Sequence, residues 1–330
     1  MVFKRVLGTF GVGGPSVDTV LASTHCRPGE YLSGEVRIKA ADYDVEIQRI
    51  TLALVTRVEV EVGDHEGAGG MEFHRVDVSG PFRLPKGQDR AVPFQLAIPW
   101  ETPITEVYGQ HLHGMAMGVR TELAVAKAVD KGDLDPVSIV PLPSQERVLD
   151  AFAQLGFGFK SADVEYGHIS GLHQQLPFYQ EIEFYPPPSH QGRINEVELT
   201  FVADPASLAV VLEADKRGGL FTPGGDVLGR FQVSHQEAMS IDWAAEISRW
   251  LDAVAEHHGA HFGPAGPAPY GHAPYGHDPY GHHGHHGGHG HHGPGLGAAV
   301  AAGAAGFVGG MIAGEIIEEA VEGIFGDEED

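Results

Sequence analysis

The chain has 330 residues, 42% of them hydrophobic, and a net charge of −24. That length exceeds one β-sandwich and suits two domains with additions, while the acidic balance disfavours nucleic acid as a partner. The single cysteine, Cys26, cannot form an internal disulfide and reads as a small, half-buried strand residue; with no apolar run behind Lys4 and Arg5, a cytoplasmic chain is expected.

Residues 17–38 open the ordered pattern. Two alternating apolar runs flank Arg27-Pro28-Gly29-Glu30, with Val17, Thr19 and Leu21 on one face of the first and Val36 and Ile38 on one face of the second. Pro28 presets φ for the second position of a turn and Gly29 supplies a positive φ at the third, so an antiparallel hairpin is predicted. Residues 50–62 alternate for 13 residues, with Ile50, Leu52, Leu54, Thr56, Val58, Val60 and Val62 on one face and Thr51, Arg57, Glu59 and Glu61 on the other. A Gly- and acid-rich loop is expected over 63–70, then strands near 72–78, 91–98 and 122–129, with Pro93 and Pro99 demoting or ending the second of these.

Residues 130–136, charged and carrying Gly132 and Pro136, are expected to separate two β regions. A helix follows, capped by Ser144 and ended by Gly156, with Val148, Leu149, Phe152 and Leu155 on one face. Strands return at 156–159, 179–185, 193–202 and 208–214; over 196–202, Val197, Leu199 and Phe201 alternate with Glu196, Glu198 and Thr200, giving one solvated acidic face. A second helix is predicted over 240–255, with an apolar stripe of Ala244, Ile247, Leu251 and Val254 beside Trp243 and Trp250, expected to dock on its own domain.

From 259 the composition turns to Gly, His, Pro and Tyr, with Pro-Tyr-Gly-His recurring every five residues at Pro269, Pro274 and Pro279. With no apolar pattern to offset ordering entropy, disorder is expected. Twelve of the 21 histidines fall between His257 and His292. Neutral imidazoles on a Gly-rich chain suit Ni²⁺, Zn²⁺ or Cu²⁺, so His277, His282, His283, His285, His286, His289, His291 and His292 are the candidate metal ligands. A spacer role and weak self-association through the tyrosines are the alternatives. His111 and His113 sit on one face of an extended segment without a third ligand, and a surface loop is expected there. Residues 295–314 carry no charge and space Gly306, Gly310 and Gly314 by four, the small-residue ridge used in close helix packing, so weak membrane association, self-association and disorder all stay open. Residues 315–325 pattern as an acidic amphipathic helix suited to a partner rather than to anionic lipid.

Nothing in the chain matches Gly-x-Ser-x-Gly, a phosphate loop or His-Glu-x-x-His, and no enzyme is predicted. A family resemblance is present instead. Its anchors are Phe10-Gly11-Val12-Gly13 leading into Val17-Asp18-Thr19, Pro28-Gly29-Glu30 with Gly34, and Asp133-Leu134-Asp135-Pro136. Further along come Val148-Leu149-Asp150-Ala151 before Gly156-Phe157, and the run from Leu176-Pro177-Phe178 to Glu181-Ile182-Glu183-Phe184. In order and spacing the chain resembles the bacterial sporulation-control family of the stage-zero M type.

That resemblance implies a mostly β, arrestin-like fold: two antiparallel β-sandwich lobes with a short helix in the second. The expected layout is a first lobe over 1–130, a second over 131–239, an amphipathic helix over 240–258, a His/Gly-rich linker over 259–294 and a Gly/Ala-rich acidic end over 295–330. It also implies a non-enzymatic regulator or scaffold, acting on regulatory, cytoskeletal or envelope proteins through protein contacts and needing no cofactor. The alternative is a metal-binding or metal-responsive protein using the His-rich tract.

Overall fold

The computed structural model describes residues 14–62, 65–126, 131–214 and 229–259. The first half of the chain carries β1 (Ser16–Leu21), β2 (His25–Cys26), β3 (Tyr31–Lys39), β4 (Val45–Val62), β5 (His65–Ser79), β6 (Phe82–Leu84) and β7 (Arg90–Ala97). It continues with β8 (Glu106–Val107), β9 (Gln110–His111), β10 (Met117–Val125), β11 (Lys131–Pro136) and β12 (Ser138–Ile139). The second half has α1 (Pro143–Leu155), β13 (Gly158–Tyr166), β14 (Phe178–Tyr185), β15 (Val197–Ala203), β16 (Ser207–Ala214), β17 (Gly229–Ser234), α2 (His235–Ala238) and α3 (Trp243–Gly259).

A three-stranded sheet, β1-β3-β7, packs against a ten-stranded sheet that runs β11-β10-β4-β13-β14-β15-β16-β17, with β5 and β6 also paired to β4. Between the two sheets the alternating apolar positions meet: Leu32, Val36, Ile38 and Leu96 from one, and Ile50, Leu52, Leu54, Val119 and Leu123 from the other, each at most 1% exposed. The Thr19 and Thr121 hydroxyls bond across the gap at 2.6 Å. β1 is closed along its outer edge by Asp133, whose carboxylate accepts the Thr19 amide at 2.8 Å.

The long sheet crosses from one half of the molecule to the other where β13 lies parallel to β4, at the registered pair Glu165↔Glu59. Beyond that junction, α1 lays Phe152 against Phe184 of β14 with ring centroids 4.6 Å apart. β5 reaches over to place Phe73 edge-on against Phe178 at 5.3 Å. Gln180 is the one polar side chain of β14 turned inward; its amide bonds both the amide and the carbonyl of Ile104, so its buried dipole is satisfied. The stripe on α3 docks on its own half, as expected, burying Trp243, Ile247, Trp250, Leu251 and Val254. Trp243 meets Phe231 edge-on, and Trp250 lies where a side chain on Gly229 would fall within 3.0 Å.

Four local expectations change. First, β1 and β3 do pair, with Val17 opposite Ile38 and Thr19 opposite Val36, but the ladder stops at Leu21↔Gly34. The chain between them leaves to form β2, which runs parallel to β12. The Pro28-Gly29 turn is real, with the Glu30 amide on the Arg27 carbonyl at 3.1 Å and φ +79° at Gly29, but it joins β2 to β3. Second, residues 63–70 are not one loop: from His65 onward they are strand β5, paired with β4. The exposed edge of β4 supplies the hydrogen bonds that override a poor strand composition.

Third, Lys131–Pro136, expected as a linker, is β11, paired along its length with β10. Its Leu134 covers Gly118, and Asp133 takes the amides of Thr19 and Leu134, so these carboxylates serve the backbone rather than water. Fourth, Ser144 does not cap α1. Pro143 begins the helix, the Gln145 side chain accepts the Leu142 amide at 2.8 Å, and Ser144 is buried at 2% exposure. Gly156 ends it in the left-handed conformation, as predicted.

Candidate functional site

Two constellations bring chemistry-bearing side chains together. The first is a stack that ties the opening turn to the helices. The Trp100 indole lies on Gly29 so closely that a Cβ there would fall 2.5 Å from the ring. Trp100 also meets the His235 ring, at 5.6 Å between centroids. His235 bonds the Asp204 carbonyl through Nε2 and the Ser144 hydroxyl through Nδ1, each at 2.8 Å. A carbonyl only accepts, so in the neutral ring Nε2 carries the proton and the Ser144 hydroxyl donates to Nδ1. That is the hydrogen-bond order of a serine nucleophile and its base. Ser144 is nevertheless buried on the first turn of α1, where no substrate reaches it, so the pair locks α1 to α2.

The second constellation is the outward face of β13–β16. Strand alternation turns Ala162, Val164, Ile182, Phe184, Val197 and Leu199 into the core, so the residues between them point out. Register then aligns the acids. Glu213 lies opposite Glu198, Glu198 opposite Glu183, and Glu183 opposite Ser161. In the neighbouring rows Glu181 lies opposite Asp163, and Glu165 opposite both Tyr179 and Glu59. Like charges directly opposite each other oppose pairing. The cation set against this face is Lys160, which bonds Glu196 at 2.6 Å and reaches Glu183 at 3.2 Å.

The titration of these groups follows from that imbalance. Burial, with Glu183 and Glu59 nearby, raises Asp163 to about 7, and its Oδ1 is buried with no hydrogen-bond partner among the described residues. Glu181 is held well above the usual carboxylate range, first by burial and then by Glu198 and Asp163. Burial also raises Glu196 and the Tyr179 phenol. Glu183 goes the other way: burial pushes it up, but the Ser161 hydroxyl and Lys160 pull it below its ordinary value. Such a surface takes up and releases protons near neutrality and favours cationic neighbours.

The residues expected to hold metal, His277, His282, His283, His285, His286, His289, His291 and His292, lie outside the described residues, as do the segments 295–314 and 315–325. Among the described residues, no group of three or more His, Cys, Asp and Glu is placed to hold a metal ion. His111 bonds the Met115 carbonyl through Nε2 at 2.9 Å, and Leu112 between the two histidines is buried, which makes the segment an anchored surface turn. Cys26 is buried and its thiol is pushed up to about 11, chiefly by burial, so it is held as an unreactive core thiol. No helix among the described residues is long and apolar enough to cross a membrane.

A short sheet packed on a longer one that runs on into a second, helix-covered half defines a two-lobed, arrestin-like β protein. Its exposed chemistry is carboxylate. The chain belongs to the Spo0M family: residues 3–218 match the family described as SpoOM protein. It is 32% identical over 263 residues to the sporulation-control protein spo0M of Bacillus subtilis (strain 168), an alignment that spans 77% of this chain and 99% of that protein. The crystal structure of Spo0M from Bacillus subtilis superimposes with a TM-score of 0.66 at 30% identity, covering 74% of this chain and 100% of that one. The family match ends ahead of the His/Gly-rich tract.

Proposed function

We propose that this chain is a non-enzymatic regulator of bacterial sporulation or development that acts as a scaffold through protein–protein contacts. The observation that carries the reading is the alignment with a sporulation-control protein over 99% of that protein's length, so both lobes are shared and not one module alone. The buried Ser144–His235 pair supports a non-catalytic role, because its hydroxyl is shielded from substrate. A cytoplasmic setting suits the single unpaired Cys26. Regulatory, cytoskeletal or envelope proteins are the proposed partners. Nucleic acid is disfavoured by the charge of −24, and residues 295–314 supply either weak membrane association or self-association. The test is cross-linked capture from the native cell, using the full chain and a chain ending at residue 258, alongside the sporulation phenotype of a deletion strain. Partners shared by both forms and a developmental defect are expected. A deletion strain that sporulates normally, or turnover of a substrate abolished by changing one His or Asp, sinks the reading.

The density of imidazoles at His282, His283, His285 and His286 favours one second reading, a metal-responsive protein holding Ni²⁺, Zn²⁺ or Cu²⁺ on the tract. Chelator competition on the full chain tests it. Binding no stronger than that of a chain lacking 259–295 removes it.

A further inference from the structure

The two halves of the long sheet meet at a weak place. β4 and β13 share one registered pair, Glu59↔Glu165, and both members are acids. The other support of β13 at this point is a turn: the Ala162 amide bonds the His113 carbonyl at 3.0 Å, and Gly114, at φ +93°, lies so close that a Cβ would fall 2.1 Å from the Ala162 carbonyl oxygen. Asp163 follows immediately. Its Oδ1 is buried and has no hydrogen-bond partner among the described residues.

The groups around Asp163 come from every adjoining strand. β4 presents Glu59, itself 3.4 Å from Arg57. β14 presents Glu181 directly opposite, with Glu183 and the Tyr179 phenol on either side. β13 adds Lys160 and Glu165, and Glu196, just before β15, adds another carboxylate. Further out, Glu198 and Glu213 act on Glu181. Lys160, which draws Asp163 down, is already engaged by Glu183 and Glu196, and Arg57 by Glu59, so among the described residues neither is paired with Asp163. A buried carboxylate in this position is tolerated when neutral and opposed when charged.

We propose that the β4–β13 junction is a proton-operated joint, firm while Asp163 is protonated and loosened when Asp163 ionises against Glu59 and Glu183. Asp163 titrates at about 7, which puts the change in the range of cellular pH. The joint couples the relative mobility of the two lobes to proton concentration, a property independent of which partner the scaffold engages.

Amide hydrogen exchange on the full chain tests the joint, comparing pH 6 with pH 8 after correction for the intrinsic pH dependence of exchange. Protection over residues 56–60 and 160–166 is expected to fall by about tenfold between pH 6 and pH 8, most of it below pH 7, the bound set by one titrating group. Protection of the β1–β3 ladder stays constant. In Asp163→Asn the fall disappears. Glu59→Gln, which removes the facing charge and leaves Asp163 in place, is expected to shrink it several-fold and serves if the first variant does not fold. Equal protection at the two pH values in the unaltered chain overturns the proposal. So does a fall of undiminished size in either variant.

Discussion

One sheet carries two acid-rich surfaces with opposite fates. On β4, β5 and β10 the outward carboxylates are matched: Arg75 bonds Glu72 at 2.7 Å and Glu122 at 2.8 Å, Arg120 reaches Glu72 at 3.2 Å, and Arg49 reaches Glu122 at 3.7 Å. Burial alone pushes Glu122 up, yet the arginines, Arg75 first, pull it below its usual value. Beneath this network lie Thr51, Ala53 and Val55, small side chains that bring the arginines down onto the sheet and are themselves almost wholly covered. On β13–β16 the same alternation of apolar and acidic residues meets Lys160 in place of three arginines, and Asp163 and Glu181 rise. The fold type is the same on both sides of the junction. The count of guanidinium groups decides whether an acid becomes a fixed partner or a titrating one.

Three changes break or sharpen this contrast. The largest effect comes from the core shared by both surfaces. Ile182, 1% exposed behind Glu181, becomes a cavity in Ile182→Ala, at a cost of about 2–4 kcal/mol in denaturant unfolding. That loss is the same at pH 5 and pH 8, since no charge moves.

The next concerns pH. Asp163 is raised in the folded chain, so the native state binds its proton more tightly than the unfolded one, and stability falls as pH rises from about 4 to about 7. Asp163→Asn should flatten that slope by an amount below ~1.4 kcal/mol per pH unit, the limit for one fully buried group. Glu122 has the opposite sign: it is lowered, so its contribution is present above its unfolded value and is lost as pH falls through the folded one. Chemical denaturation across pH 2–8 separates the two, Glu122 acting below about 4.5 and Asp163 above about 4.

The smallest effect concerns salt. Arg75→Ala should cost about 1 kcal/mol or less at low ionic strength, because its side chain is 39% exposed and solvent screens the pairs. Added salt should shrink that loss while stabilising the unaltered β13–β16 face, where it screens repulsion. Thermal melts at two salt concentrations give the sign.

Much of the frame was legible because burial imposes period two on strands. Leu52, Leu54 and Val58 on β4, Ile182 and Phe184 on β14, and the tryptophan-bearing stripe of α3 all sit where alternation or helical spacing places them. Propensity misled where tertiary hydrogen bonds override it. His65 to Gly70 and Lys131 to Pro136 have the composition of loops, yet neighbouring strands pair with them. Ser144 has the chemistry of a cap, but the partner that claims it, His235, is 91 residues away. The carboxylate face was visible on one strand: the acidic side of 196–202 was evident, but a single strand gives no register. Only Asp163↔Glu181 and Glu198↔Glu213 pairing turns scattered acids into a surface.

The carboxylate of Asp133 on the Thr19 amide has a further consequence. A strand edge with free amides and carbonyls invites a strand from another molecule to add to it, which is how ordered aggregates grow. In the small sheet, β1 has one of its edge amides, that of Thr19, taken by that side chain, and β7, on the opposite border, carries Pro93, which has no N–H to offer. Both borders of β1-β3-β7 are thus poor templates for recruiting a second copy.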